Sequence, residues 1–171
     1  MAVLEIKKYP EKILREKTQT VSEFNQELQK LIDDMIETMY AAPGVGLAAN
    51  QVGICKQVAV IDVSVGNAEK SSLIVIINPE IVHKEGEEAS EEGCLSIPEY
   101  TTIVKRASKV RVKGLDREQQ PLEIDAEGLL AKALQHEIDH LNGFLFIDRI
   151  GRIKKEFFKK RFAREHAPGN E

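Results

Sequence analysis

The stretch EGLLAKALQHEIDHLNG, residues 127–143, limits the possible folds of this 171-residue chain more than any other. Leu129, Leu130, Ala133, Leu134, Ile138 and Leu141 recur at the three- and four-residue spacing of an α-helix. The stripe is broad enough to leave the helix largely buried, with Asp125 a candidate cap and Gly143 a candidate stop. Cover for such a helix comes from the segments before it. KQVAVIDV, SLIVIINP, EIVHKEGEEAS, TTIVKRA, KVRVKGLD and PLEIDAE are short, often alternating and rich in Val, Ile and Thr. They predict a β-rich middle, with DREQQ as the turn between the last two. The expected class is α+β: a single domain in which mixed or antiparallel sheets surround one buried helix.

An amphipathic helix is expected earlier, in NQELQKLIDDMIETMY, where Leu28, Leu31, Ile32, Met35 and Met39 share a face behind Asn25 as N-cap. PEKILREK suits a short helical turn opened by Pro10, and the glycine-rich APGVGLAANQVG reads as a loop returning to the core. A length of 171 residues, with no repeat, low-complexity tract or dividing linker, fits one domain. With 42% apolar and 30% charged residues the chain falls among ordinary globular proteins. The segment MAVLEIKKYPEKILREK has no apolar signal core, and no run of about 20 apolar residues occurs anywhere. These features predict a cytoplasmic monomer without a membrane partner, in which Cys55 and Cys94 are thiols, metal ligands or nucleophiles rather than a disulfide. A net charge of -4 argues against overall attraction to nucleic acid but leaves room for a local basic patch.

Residues 136–140 carry the chemistry, as H-E-x-x-H. Positions i and i+4 lie on one helix face, so His136 and His140 can grip one metal ion. Glu137 beside them can take a proton from a metal-activated water and return it to a leaving group. The third ligand decides the class. A metzincin-type protease would need histidine where Phe146 stands. Other zinc peptidases recruit a downstream carboxylate, here Glu156 or Glu165, both in a lysine-rich segment that reads as solvated. His83 and His166 stand alone among charged residues, and Cys55 opens an apolar strand as a small hydrophobe. Cys94 differs: it sits in EEGCLSIP, between a glycine and a run that turns at Pro98, and a thiolate binds zinc or ferrous iron well.

GVGLAANQ at 44–51, EGCLS at 92–96 and QHEIDH at 135–140 together resemble the three signature motifs of peptide deformylases, in that family's order and over about residues 1–150. The resemblance implies a Cys94–His136–His140 site with an open fourth position, holding Fe²⁺ in the cell and accepting Zn²⁺, Ni²⁺ or Co²⁺ in purified protein. It also implies Glu137 as base and then acid, and the Gln51 amide with the Leu95 backbone N–H as oxyanion donors. The implied substrate is an N-formylmethionyl nascent peptide, added as an extended strand beside Gly44, Val45 and Gly46, its first side chain in a pocket walled by Val45, Leu129 and Ala133. The alternative is a zinc metallopeptidase of the H-E-x-x-H type.

Outside the motifs, residues 151–171 are set apart from a catalytic domain at 1–150 by their charge. In GRIKKEFFKKRFAREH, Ile150, Ile153 and Phe157 follow i, i+3, i+7 spacing, Phe158 and Phe162 widen the apolar side, and seven lysines and arginines fill the rest. This predicts a basic amphipathic helix with a frayed tail, which either packs on the domain or docks on the ribosome.

Overall fold

The structure is a computed structural model that describes residues 2–64 and 72–166. A 3-10 turn at Lys12–Arg15 leads into α1 (Gln26–Ala41), β1 (Gly46–Ala48), a second 3-10 turn (Ala49–Val52) and β2 (Val58–Ile61). The long strand β3 (Ile74–Glu85) follows, then β4 (Glu88–Cys94), β5 (Ile97–Arg106), β6 (Lys109–Leu115) and β7 (Pro121–Glu127). The chain closes with α2 (Gly128–Leu141), a third 3-10 turn (Phe146–Arg149) and α3 (Arg152–Glu165). Strands β1-β2-β3-β6-β7 form one antiparallel sheet in that order, and β4-β5 form a separate antiparallel hairpin.

The alternation of side chains along a strand explains how one sheet covers two helices. Val58 and Val60 of β2, with Leu47 and Ile77, pack against Leu28, Ile32, Met35 and Met39 of α1. Ala59 and Ile61, one residue out of phase, join Ala48, Ile76 and Val112 against Leu134, Ile138 and Leu141 of α2. The stripe at 127–143 is thus buried in the main core. Asn25 caps α1 as expected, its side chain accepting from Leu28 N–H at 3.0 Å. Gly143 ends α2 with φ of +85°, where a Cβ would fall 2.5 Å from the Arg15 carbonyl oxygen.

Several local expectations give way. The glycine-rich stretch is not merely a loop: Gly46–Ala48 pairs with Ala59–Ile61, because Leu47 and Ala48 alternate between the two cores. The second and third predicted strands are redistributed. β3 runs unbroken through Asn78 and Pro79, where a register shift accommodates the proline, and Glu88, Ala89 and Ser90 belong to β4. Pro10 does not open its helical turn, which starts at Lys12. Asp125 caps nothing; it lies in β7 bonded to Arg111 at 2.7 Å, and Glu127 occupies the N-cap position. The turn after Cys94 comes at Leu95–Ser96, since Cys94 already pairs with Ile97, and Pro98 lies within β5. Cys55 precedes β2 and is half-buried, its Sγ 3.6 Å from the Lys17 carbonyl oxygen.

The expected apolar face of α3 is also rotated. Ile153 and Phe157 are 74% and 68% exposed, whereas Phe158 is 4% exposed and sits with Phe162 against Tyr9. The i, i+4 phenylalanine pair outweighs the i, i+3, i+7 spacing because Tyr9 and Tyr100 offer it ring contacts within a cluster that also holds Leu14 and Ile97. The tail expected beyond the helix, 167–171, lies outside the described residues.

Candidate metal centre

α2 carries His136 and His140 on one face, with their Nε2 atoms 3.1 Å apart. The end of β4 brings Cys94 to the same point, its Sγ 3.2 Å from His140 Nε2, and the three donor atoms all lie within 4.8 Å of one another. An ion with metal–nitrogen bonds of about 2.0 Å in tetrahedral geometry holds its nitrogens roughly 3.3 Å apart, so these separations fit one ion. The donor set fits as well: one soft thiolate and two imidazoles suit zinc or ferrous iron. Among the described residues this is the only cluster of its kind.

The surrounding side chains hold the imidazoles in place. His136 Nδ1–H donates to Glu92 at 3.0 Å, which leaves Nε2 free as a ligand. Arg106 grips Glu92 through Nε at 2.6 Å and Nη2 at 3.0 Å, and donates to Asp139 through Nη1 at 2.9 Å. Arg149 donates to the same Asp139 at 2.8 and 3.1 Å. Burial opposes charge on Glu92, but the bonds from His136 and Arg106 prevail and hold its carboxyl down at about 2. Asn50 donates to the His140 carbonyl, tying the 3-10 turn Ala49–Val52 to α2.

Glu137 is placed differently. It is 3% exposed, and its Oε1 has no hydrogen-bond partner. Burial pushes its carboxyl up to about 7, against the pull of His136 and Arg106, so near neutrality it can both take and return a proton. Burial lowers His140, and the charges of His136 and Arg106 lower it further. His136 moves the other way: burial opposes its charge, but Glu137, Cys94 and Glu92 outweigh it.

A cleft of about 660 Å³ opens beside this cluster. Gly44, Val45, Gly46, Gln51, Cys94, Leu95, Leu129, Ala133, His136 and Glu137 all line it, while His140 is fully buried behind. Ten of the eleven residues expected at the site therefore share one cavity. Val45 and Leu129 are 38% and 55% exposed at its mouth, and Ala133 lies deeper. Gln51 does two things: its Oε1 accepts from Ala48 N–H at 2.9 Å, capping its own turn, while Nε2 points to Ser96 Oγ at 3.1 Å and Cys94 Sγ at 3.6 Å. Its acceptor is used up locally, and its donor faces the cluster.

The other candidate ligands lie elsewhere. Glu165 pairs with Arg161 at 2.9 Å, Glu156 is exposed on α3, His83 faces Glu85 on the surface, and His166 stacks on Phe162. A wider groove of about 750 Å³ over β3, β6 and β7 has no metal-binding cluster, and its charges, such as Arg111 with Asp125, pair with each other. Sequence reasoning missed Glu92, Arg106, Asp139 and Asn50 as supports. Glu92 stood inside a quoted motif; Arg106, 14 residues beyond it, carried no local signal.

With the geometry in place, comparison with known proteins is direct. The profile of the polypeptide deformylase family matches residues 3–156. The chain belongs to the peptide deformylase family. The peptide deformylase of Thermodesulfovibrio yellowstonii is 60% identical over 162 residues, covering 95% of this chain and 98% of that protein. That of Syntrophobacter fumaroxidans is 53% identical, covering 96% of each. Among solved structures, the Legionella pneumophila peptide deformylase superposes with a TM-score of 0.87 at 46% identity, covering 98% of this chain and 99% of that one. The Ehrlichia chaffeensis peptide deformylase, solved in complex with actinonin, gives 0.88 at 37% identity over the same shares. The fold of this family member, a single α+β domain with antiparallel sheets, is the deformylase fold.

Proposed function

We infer that this enzyme removes the N-formyl group from newly made polypeptides by hydrolysis at the Cys94–His136–His140 centre. One observation carries the reading: a buried carboxylate without a partner, Glu137, stands beside three converging donors at the end of an open cleft. Cys94, His136 and His140 would hold a divalent ion, which would supply Lewis acidity at the end of the cleft. The Glu137 carboxylate takes the proton of the attacking water and delivers it to the departing amine. The Gln51 Nε2–H and the Leu95 backbone N–H receive the developing negative charge, each such donor contributing about 3–4 kcal/mol. Glu92 and Arg106 keep His136 from turning.

The peptide binds as an extended strand along β1, which forms an open edge of the five-stranded sheet. Its first side chain enters between Val45, Leu129 and Ala133, and the unbranched thioether of methionine suits that apolar wall. The ion is Fe²⁺ in the cell; Zn²⁺, Ni²⁺ or Co²⁺ can replace it in the same donor set. The reading places the protein in the cytoplasm as a monomer, and no described helix is long and apolar enough to cross a membrane. Residues 1–150 carry the catalysis, and 151–171 offer a basic surface for the ribosome.

The test is formate release from a formyl-Met peptide by protein purified without oxygen, with metal analysis of the same sample. Cys94→Ala should lose metal and activity, while Cys55→Ala keeps both. A formyl-Glu peptide should react far more slowly, since burying a carboxylate in an apolar pocket is costly. Equal loss in both cysteine variants, or equal rates for both peptides, would remove the assigned ligand or the assigned pocket. A metallopeptidase would instead cleave internal bonds and needs a carboxylate as third ligand, where this site offers a thiol.

A further inference from the structure

The hydrophobic cluster beneath the metal centre is separate from the two that flank the main sheet. It gathers Leu14, Ile97, Val104, Phe146 and Phe158, and the side chain of Cys94 packs against it. Two routes lead from α3 through this cluster to the cleft. Phe158 lies 4.7 Å, centroid to centroid, from Tyr100, which lines the cleft. Tyr100 lies 5.9 Å from Phe146, and Phe146 lies nearly parallel to the His136 ring at 6.2 Å. Phe158 also meets Tyr9 at 5.4 Å, and the Tyr9 N–H donates at 2.8 Å to the carbonyl of Ser96, the residue after Leu95.

His136 is thus held on two sides. Glu92 fixes its Nδ1 edge, and the Phe146 ring flanks its face at 6.2 Å between centroids. Phe146 is 1% exposed and packs against Tyr100, and Tyr100 is backed by Phe158. Phe158, Tyr100, Phe146 and His136 follow one another at 4.7, 5.9 and 6.2 Å between ring centroids, so a change at Phe158 alters the support of each ring after it.

We propose that Phe158 is a positioning residue for the metal centre, acting from the C-terminal helix through Tyr100 and Phe146 to hold His136 in ligating orientation. The proposal rests on the metal-site reading above. It assigns to α3 a role in the free enzyme that is independent of any surface the helix presents to a partner. Removing Phe158 leaves room for Tyr100 and Phe146 to retreat, and the His136 ring gains a rotation that competes with ligation. Loss of support behind a ligand costs about 10–100-fold in metal affinity.

The experiment uses full-length zinc-loaded protein and follows zinc transfer to a chromogenic chelator, at a temperature well below the melting point of every variant compared. Phe158→Ala should release zinc about tenfold faster than wild type. Phe158→Leu, which refills the space, should restore most of the difference. Phe157→Ala, on the exposed side of the same helix, should match wild type. If Phe158→Ala does not fold, Tyr100→Leu decides, since it cuts the contact chain at its middle while leaving Tyr9 against Phe158, and it should also release zinc faster. Wild-type release rates in Phe158→Ala despite a lowered Tm, or in Tyr100→Leu, would show ordinary core packing and overturn the proposal. Wild-type protein that bound no zinc would overturn the metal-site reading and this proposal with it; normal binding with unaltered release in the variants overturns the proposal alone.

Discussion

Gly46 and Glu137 are fitted so closely that a Cβ added at position 46 would lie 2.5 Å from Glu137 Oε2 and 3.0 Å from its Cγ. The backbone of β1 passes directly over the carboxylate, leaving its other oxygen, Oε1, the one without a partner. Glycine is needed here for close approach rather than for a turn. Gly46→Ala should push Glu137 out of line while touching no ligand. The expected result is full metal content with kcat reduced on the order of 10- to 100-fold, the scale of a small misplacement at a reacting centre. Normal turnover in Gly46→Ala would mean that the position of Glu137 does not matter.

Glu137→Gln should retain metal and lose at least about 100-fold in rate, the usual scale for a missing general base. The same substitution has a stability signature in metal-free protein. Burial raises the Glu137 carboxyl from 4.5 to about 7, so the folded state keeps its proton where the unfolded state loses it. Stability from this group is complete below about pH 4.5 and is lost as pH rises through about 7. Wild type should therefore lose ground against Glu137→Gln across that window, by a few kcal/mol at most. Parallel denaturation curves from pH 4 to 8 would contradict a buried, unpaired carboxylate.

Arg106 joins two carboxylates that would otherwise face each other in a nearly closed space: its side chain is 4% exposed, and those of Glu92 and Asp139 are 10% and 15% exposed. Arg106→Met leaves Glu92 without its bidentate partner and frees it to rotate away from His136. Metal affinity should fall about 10–100-fold, and Glu92→Gln should do less harm because its amide oxygen can still accept from His136 Nδ1–H. Competition titrations with a chelator rank the two; the reverse order would mean that charge on Glu92, not orientation, is what His136 requires.

These relationships mark where the sequence could be read and where it could not. α1 and α2 were legible because their apolar residues repeat at helical spacing, and Asn25 and Gly143 sit where end signals belong. The clustering of Cys94, His136, His140, Glu137 and Gln51 was legible because 44–51, 92–96 and 135–140 form three compact motifs, whereas Leu129 and Ala133 had only their helical spacing from His136. β1 was hidden because three residues are too few to show alternation among glycines. The support of His136 was hidden because Arg106 reaches Asp139 across 33 positions, a pairing that only the β5–α2 packing creates. The orientation of α3 was ambiguous because its apolar residues fall on more than one side, and only Tyr9 and Tyr100, distant in sequence, decide which of them is buried.

That orientation changes what the C-terminal helix can offer a ribosome. Lys155 is tied to Asp148 at 2.8 Å and belongs to the fold, whereas Lys154, Lys159 and Lys160 are exposed around the helix whose Phe158 is committed inward. On the proposed docking role, the lysines free to meet a ribosome are those three and not Lys155. The variant Lys154→Glu, Lys159→Glu, Lys160→Glu should keep normal turnover on a free formyl-Met peptide, since none of the three touches the cleft. Its affinity for ribosomes should fall, and each lost phosphate contact should lower the slope of log affinity against log salt by about 0.7–0.9. Sedimentation with ribosomes at several salt concentrations measures both quantities. An unchanged affinity and slope in the reversed variant would reject docking through this helix and leave α3 with its packing role alone.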